Sequence, residues 1–285
     1  MNYRHTFHAG NFGDASKHAL LVPLVRAMQR KPKGFVFVDT HAGIGGYDLS
    51  TAPAGRTLEF ESGIGRLWRA KETPDVLREF LDLVRRYNEA RGAASGELRC
   101  YPGSPRIVEA LLRPQDRLAL SELHPEDFEV LRAAFRGKPG VSVQRIDAYS
   151  AIRAFLPPPE RRALILIDPP YEDANEVSRL HAGLEAGLRR LPAGTFAIWF
   201  PIKDRSASEA FKAVLQTLPL PPTLSAELTV RPDKTAGRLN GSGLLIVNPP
   251  WQIERELEAV LSALLPLLAT EPGARAGLEW LVEEE

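Results

Sequence analysis

Four positions at the ends of apolar runs could do chemistry: Asp39, Glu122, Asp147 and Asp168. The most pointed is "LILIDPPYE" (164–172), where an apolar run stops in Asp168, Pro169, Pro170 and Tyr171. An exocyclic amine such as N6 of adenine is a poor nucleophile, because its lone pair is delocalised into the ring. It improves when both N–H groups are held by acceptors that favour a tetrahedral nitrogen. Asp168 supplies one acceptor and the carbonyl of Pro169 a second, on a bracket stiffened by two prolines. Tyr171 can stack on a base that has left its helix. Asp168 can also take the released proton as a general base. An acid that merely ends a strand is the plain alternative, and the neighbouring stretches weigh against it.

In "VFVDTHAGIGG" (36–46) a buried run ends in Asp39 and enters a turn with Gly43, Gly45 and Gly46. Glycine lets the backbone approach a ligand closely. No clean third glycine opens a helix, so the turn suits a cofactor without a pyrophosphate better than a dinucleotide. In "LALSELHP" (118–125), Glu122 can accept both hydroxyls of a ribose. In "RIDAYS" (145–150), Asp147 can accept from the amine of an adenine ring. Acids at successive strand ends carry weight together, because open α/β sheets bind ligands along that edge.

Anion-holding groups are found at two helix starts. "GNFGDASKHALL" (10–21) predicts a helix capped by Asp14. Lys17 and His18 then fall in its first turn, where the dipole disfavours cations. That placement suggests a task such as holding a carboxylate. "YPGSP" (101–105) predicts a helix capped by Ser104 and opened by Pro105, another place for an anion, and the methionine carboxylate of S-adenosylmethionine would suit either place beside Gly43 and Glu122.

The elements that must position these residues alternate. Strands are expected at 34–39, 116–123, 141–147, 163–168, 195–200, 226–230 and 243–248. Helices are expected at 15–30, 75–91, 105–112, 126–135, 174–190, 206–217 and 251–268. Thr73 and Pro74 should open the second of these helices. The alternation predicts an α/β fold with a seven-stranded, mostly parallel sheet. Its last two strands should form an antiparallel terminal hairpin, because the Gly-rich connection 231–242 holds no helical pattern. "ARAGLEWLVEEE" at the end fits a strand or a short helix equally. Between Gly46 and Glu122 the spacing is about 50 residues longer than a doubly wound fold needs. A small helical subdomain at 50–100, inserted in a single domain of residues 1–285, accounts for the excess.

"LLIVNPPWQ" (244–252) repeats the shape of the first bracket with Asn248, Pro249, Pro250 and Trp251. It follows the last strand, far from the acids above. It is read as a strand stop with Trp251 packed in the core.

Composition bounds the rest. The 285 residues carry 36 basic and 36 acidic side chains, so overall charge gives no argument for nucleic acid. Residues 1–34 hold six basic side chains against Asp14 alone, a local patch suited to phosphates. Arg231, Lys234 and Arg238 in the connecting loop could join it in clamping phosphates. One cysteine, Cys100, excludes an intrachain disulfide and a cysteine metal cluster. No metal site is expected, since His5, His8 and His18 come without a carboxylate pair. The apolar runs are too short for a bilayer and the N-terminus has no apolar signal core, so a cytoplasmic protein is expected.

Taken together, "YRHTFHAGNFGDASKHALL", "DTHAGIGGYDL", "YPGSP", "LSELHP", "LILIDPPYE" and "GSGLLIVNPPW" resemble the bacterial RlmJ-type 23S ribosomal RNA adenine-N6 methyltransferases. The resemblance spans nearly the whole chain. It implies a class I S-adenosylmethionine-dependent methyltransferase fold (Rossmann-like), with adenine N6 in 23S rRNA as the acceptor; a monomer is expected, although the sequence leaves oligomeric state open. It implies cofactor contacts at His18, His41, Ser104, Glu122, Asp147 and Ala148, Asp168 as the catalytic acceptor, and Tyr3, beside Arg4, at the RNA. Ala148 departs from the glycine expected there, which a backbone contact tolerates. Rival readings are an adenine-N6 DNA or N5-glutamine protein methyltransferase, and an RNA-binding protein with a vestigial cofactor pocket. A nicotinamide-dependent oxidoreductase would need a tighter glycine fingerprint.

Overall fold

The computed structural model describes residues 5–50, 57–233 and 238–283. Its centre is an eight-stranded sheet. The strands are β1 (Val36–Asp39), β4 (Arg117–Ser121), β5 (Val141–Gln144), β6 (Ala163–Ile167), β7 (Thr195–Ile202), β8 (Thr223–Thr229), β9 (Gly241–Val247) and β10 (Arg275–Val282). Their spatial order is β10-β8-β9-β7-β6-β1-β4-β5. Strands β5, β4, β1, β6 and β7 run parallel, and β9 runs antiparallel between β7 and β8. This is the class I methyltransferase sheet expected from the sequence, with one strand more. The extra strand is β10, the "ARAGLEWLV" stretch that composition left open. It pairs antiparallel with β8 at the edge. Its alternation of exposed and half-buried residues is that of an edge strand covered on one face. Lys212, buried between Glu227 of β8 and Glu279 of β10, ties it down.

Helices cover both faces. On one lie α1 (Phe12–Gln29), α2 (Ile64–Trp68), α3 (Asp75–Glu89), α4 (Ser104–Leu111), α5 (Pro125–Ala134) and α9 (Glu254–Leu268). On the other lie α6 (Ala148–Phe155), α7 (Glu176–Arg190) and α8 (Arg205–Leu215). Strand residues alternate between the layers: Leu164 and Leu166 face the first, Ile165 and Ile167 the second. Fifteen of the eighteen residues of α1 are buried, including Asp14, Lys17 and His18. Polar side chains in such a helix must find partners inside the protein.

Two three-residue strands, β2 (Gly46–Asp48) and β3 (Cys100–Pro102), pair antiparallel. The stretch between them therefore leaves and rejoins the sheet domain at adjacent points. Its apolar residues, among them Ile64, Leu67, Leu77, Phe80 and Val84, join the same core cluster as α1 and α9. Three helix starts differ from expectation. Asn11, not Asp14, caps α1 by accepting from the Asp14 N–H. Helix α3 begins at Asp75 with no side-chain cap from Thr73. Gly103 precedes α4, and Ser104 is its first residue.

Candidate active site

The parallel strands bring Asp39, Glu122, Asp147 and Asp168 to one edge of the sheet, and two cavities open there. The first is lined by His41, Gly43, Glu122, Asp147, Ala148 and Asp168, with Thr40, Leu123, His124, Tyr149, Pro170 and Arg179. The second is lined by His8, Asn11, Asp14, Lys17, Glu59, Asp168, Pro169, Pro170, Tyr171, Trp199, Pro201, Lys203 and Leu239. Asp168 and Pro170 form the wall common to both.

In the first cavity Gly43 takes a positive φ of 57°, and its N–H donates to Glu122 Oε2 at 2.8 Å. The His124 N–H donates to Oε1 at 2.8 Å. Burial raises the Glu122 pKa despite these two donors. Asp147 caps α6, with Oδ1 accepting from the Tyr149 and Ser150 N–H groups at 3.1 Å. Its other oxygen pairs with Arg179, whose guanidinium lies over the Tyr149 ring. Burial lowers the His41 pKa to about 4, so its imidazole is neutral. Its Nδ1 accepts the Asp168 N–H at 3.3 Å, which leaves the proton on Nε2 and ties this ring to the strand end.

In the second cavity Asp168 Oδ2 accepts from Lys17 Nζ at 2.5 Å, and the ammonium also donates to Asp14 Oδ1 at 2.8 Å. Lys17 is 4% exposed and Asp168 15%. Burial pulls the lysine down, but the two carboxylates more than offset it and its pKa lies above the ordinary value. Asp14 Oδ2 accepts the Gly10 N–H, so Lys17 is locked by the turn before α1. Pro169 is buried in the wall. Tyr171 has a positive φ of 53°, a conformation that costs a non-glycine residue about 1–3 kcal/mol and persists where the surroundings over-determine it. Here its hydroxyl donates to the Trp199 carbonyl at 2.6 Å, and its ring packs edge-on against Phe211.

Several expected positions are corrected. Lys17 is in the second turn of α1 and faces the second cavity, not the cluster around Glu122, because both its partners stand there. His18 is turned toward Tyr101, whose hydroxyl lies 2.7 Å from Nδ1, and it lines neither cavity. Ser104 spends its hydroxyl on Asp39 Oδ2 at 2.6 Å instead of capping α4. Tyr3, Arg4 and Lys234 lie outside the described residues. Arg238 is exposed on the loop that leads to Leu239 of the second cavity. Arg231 is half-buried with Glu271 3.8 Å away.

The second bracket is excluded by strand direction. Val247 pairs with Phe196 at the start of β7, so Asn248 falls on the sheet edge opposite Asp168. Its side-chain amide donates to the carbonyls of Pro192 and Gly194. Trp251 is 69% exposed and not a core residue.

Trp199, Pro201, Lys203, Arg179 and Glu59 were not found from sequence. The first three reach the site because β7 neighbours β6, a pairing no local pattern encodes.

Asp39 is fully buried, and burial raises its pKa from 3.8 to about 6 although Ser104 and the His41 N–H donate to it. A carboxyl raised in the folded state contributes stability below pH 3.8 that is lost as pH rises through about 6. At about 1.4 kcal/mol per pH unit, that interval amounts to roughly 3 kcal/mol. Asp39→Asn mimics the protonated form. Its melting temperature should exceed wild type at pH 7.5 and converge with it at pH 4. A difference independent of pH would show that Asp39 does not titrate in this window.

A family model described as "Ribosomal RNA large subunit methyltransferase D, RlmJ" matches residues 32–282. The chain is 37% identical over 284 residues to "Ribosomal RNA large subunit methyltransferase J" of Escherichia coli and, at the same identity, to that of Haemophilus influenzae, covering 100% of each. A crystal structure of a Legionella pneumophila protein superposes with a TM-score of 0.85 at 31% identity, over 95% of this chain and 98% of that one.

Proposed function

The chain belongs to the RlmJ family of ribosomal RNA large subunit methyltransferases, and on that premise we propose that its two cavities hold the methyl donor and the flipped adenine of 23S rRNA. Its reaction is S-adenosylmethionine-dependent methylation of ribosomal RNA, and N6 of an adenine is the acceptor we assign. The observation that supports this assignment is the position of Asp168, which faces both cavities at once.

The first cavity fits the donor by the chemistry of its lining. Glu122 offers a carboxylate for ribose hydroxyls, held by the Gly43 and His124 N–H groups. Asp147 and the Ala148 backbone stand where an adenine ring would be read, beside Leu123 and Tyr149. Neutral His41 presents an N–H donor. When bound, S-adenosylmethionine supplies an electrophilic methyl group on a sulfonium.

In the second cavity, Lys17 holds Asp168 Oδ2 and leaves Oδ1 to accept from the acceptor amine. The Pro169 carbonyl is the second acceptor. Holding both N–H groups turns the nitrogen lone pair out of the ring plane and toward the first cavity. An ion-paired carboxylate orients better than it takes a proton, so orientation is the role assigned to Asp168. After methyl transfer the nitrogen is strongly acidic, and it passes its proton to solvent water. The tether of the Tyr171 hydroxyl makes its ring a fixed wall for the base.

No helix among the described residues is long and apolar enough to cross a membrane. We take the working unit to be one chain acting in the cytoplasm on large-subunit RNA, without a metal.

The test is to incubate the protein with labelled S-adenosylmethionine and unmodified 23S rRNA and to digest the RNA to nucleosides. Label should appear in N6-methyladenosine. Label in another nucleoside would overturn the N6 assignment. Label in DNA or protein only would overturn the RNA acceptor.

A further inference from the structure

A groove between α3, α4 and the turn after α5 carries charge that neither cavity uses. It is lined by Arg86, Tyr87, Arg91, Arg106, Glu109 and Lys138, over an apolar floor that includes Leu83 and Ile107. We propose that this groove is a second RNA-contact surface, which takes backbone phosphates of the substrate RNA on the donor-side flank of the enzyme; the proposal rests on the RNA reading above.

Four cations face one carboxylate. Glu109 is shared by Arg106, at 2.7 Å, and Lys138. Arg86 and Arg91 are exposed, and neither has a carboxylate partner among the described residues. The Arg91 guanidinium lies 3.5 Å from the centre of the Tyr87 ring. Stacking fixes its plane and leaves the N–H fork at its edge for a ligand. A planar fork held in place is the arrangement that matches phosphate oxygens in pairs. The polar lining is four cations and one carboxylate beside a tyrosine hydroxyl, and contacts from such cations to phosphate oxygens are of the positioning kind.

The groove is also in the right place. Tyr87 packs on the turn of the first cavity: a Cβ at Gly46 would sit 1.7 Å from its hydroxyl oxygen. On the other side of Asp168, exposed Lys203 and Arg238 flank the second cavity. The second cavity is assigned above to a single flipped nucleotide. A folded RNA that delivers that nucleotide extends past it, and basic groups stand on both flanks to meet it.

The test compares wild type with the Arg86→Ala/Arg91→Ala variant in binding a 23S rRNA fragment across a salt series. Affinity at low salt should fall about tenfold, and the slope of log K against log salt should flatten by roughly two, one for each phosphate that an arginine no longer neutralises. S-adenosylmethionine binding, and methylation of an oligonucleotide too short to reach the groove, should stay unchanged. The Arg86→Lys/Arg91→Lys variant should keep most of the slope. An unchanged slope in the alanine variant overturns the proposal. So does a matching loss in cofactor binding, or a lysine variant as impaired as the alanine one, since either would mark a structural role. Wild type that shows no salt-dependent RNA binding would sink the RNA reading itself, and this surface with it.

Discussion

Asp168→Asn should lower the methylation rate constant by about 10²–10³-fold, the range over which the loss of one preorganised hydrogen-bonding group at a reacting centre acts, and leave the fold intact. The size follows from Lys17. An asparagine at 168 has one acceptor and one donor end, and the Lys17 ammonium 2.5 Å from Oδ2 demands the acceptor. The amide NH2 is then forced toward the substrate amine, donor against donor. The variant therefore opposes the geometry that wild type enforces. Binding of S-adenosylmethionine, measured by calorimetry, should change much less, because Glu122, Asp147 and the Gly43 turn remain. A variant that keeps its rate would remove Asp168 from the chemistry. A variant whose entire loss lies in cofactor affinity would make Asp168 a donor-binding residue only.

The parts of the site that could be read from sequence are those whose signal is local. Asp39, Glu122, Asp147 and Asp168 each end an apolar run, and parallel strands must bring such ends to one edge. The strand runs were legible for the same reason, and all seven expected strands are present within a few residues of their ends. What escaped depends on neighbours across space. Strand β10 has few buried positions of its own and is defined by pairing with β8. β2 and β3 are three residues each and exist only as a pair. Trp251 looked like core because "NPPW" copies "DPPY". The antiparallel direction of β9 sends that copy to the opposite edge of the sheet, where the indole is open to solvent.

Lys17 shows how a correct anomaly can be assigned to the wrong partner. A cation near the start of a buried helix is unfavourable there, and a carboxylate partner was the sound inference. The carboxylates belong to the protein itself: Asp14 one turn back on the helix, and Asp168 across the sheet. The first is legible as an i,i+3 pair. The second is separated by 151 positions and appears only when α1 is laid on the sheet. His18, adjacent in sequence, projects elsewhere for the geometrical reason that neighbours on a helix do not share a face.

Lys17→Met should therefore cost both stability and activity. Methionine has nearly the volume of the lysine stem, so packing is preserved and the electrostatic part is isolated. Removing the ammonium takes the Lys17 charge away from Asp14, 3% exposed, and from Asp168. Breaking a buried pair in this way typically costs about 3–5 kcal/mol, which for a chain of this size corresponds to a fall in Tm of roughly 6–20 °C. The pH dependence has a definite sign. In the variant no ammonium stands between the buried Asp14 and the part-buried Asp168, and two like charges this near each other favour a proton on one of them in the folded state. Carboxyl groups raised by folding stabilise at acid pH and cease to do so as pH rises. The deficit against wild type should thus be largest near pH 8 and shrink toward pH 5. In wild type the raised Lys17 pKa acts in the other window: its contribution is complete below the ordinary lysine value of 10.5 and is lost only above it. Thermal melts of both proteins from pH 5 to pH 8 check this. A deficit that does not vary with pH would mean that lost packing, not the lost ammonium charge, governs the variant. Activity should fall with the charge, because Asp168 loses the partner that fixes its orientation. In Lys17→Met/Asp168→Asn the two losses should be far from additive, since the asparagine no longer meets an ammonium that forces its donor end toward the substrate. Additive losses would show that Lys17 and Asp168 act independently.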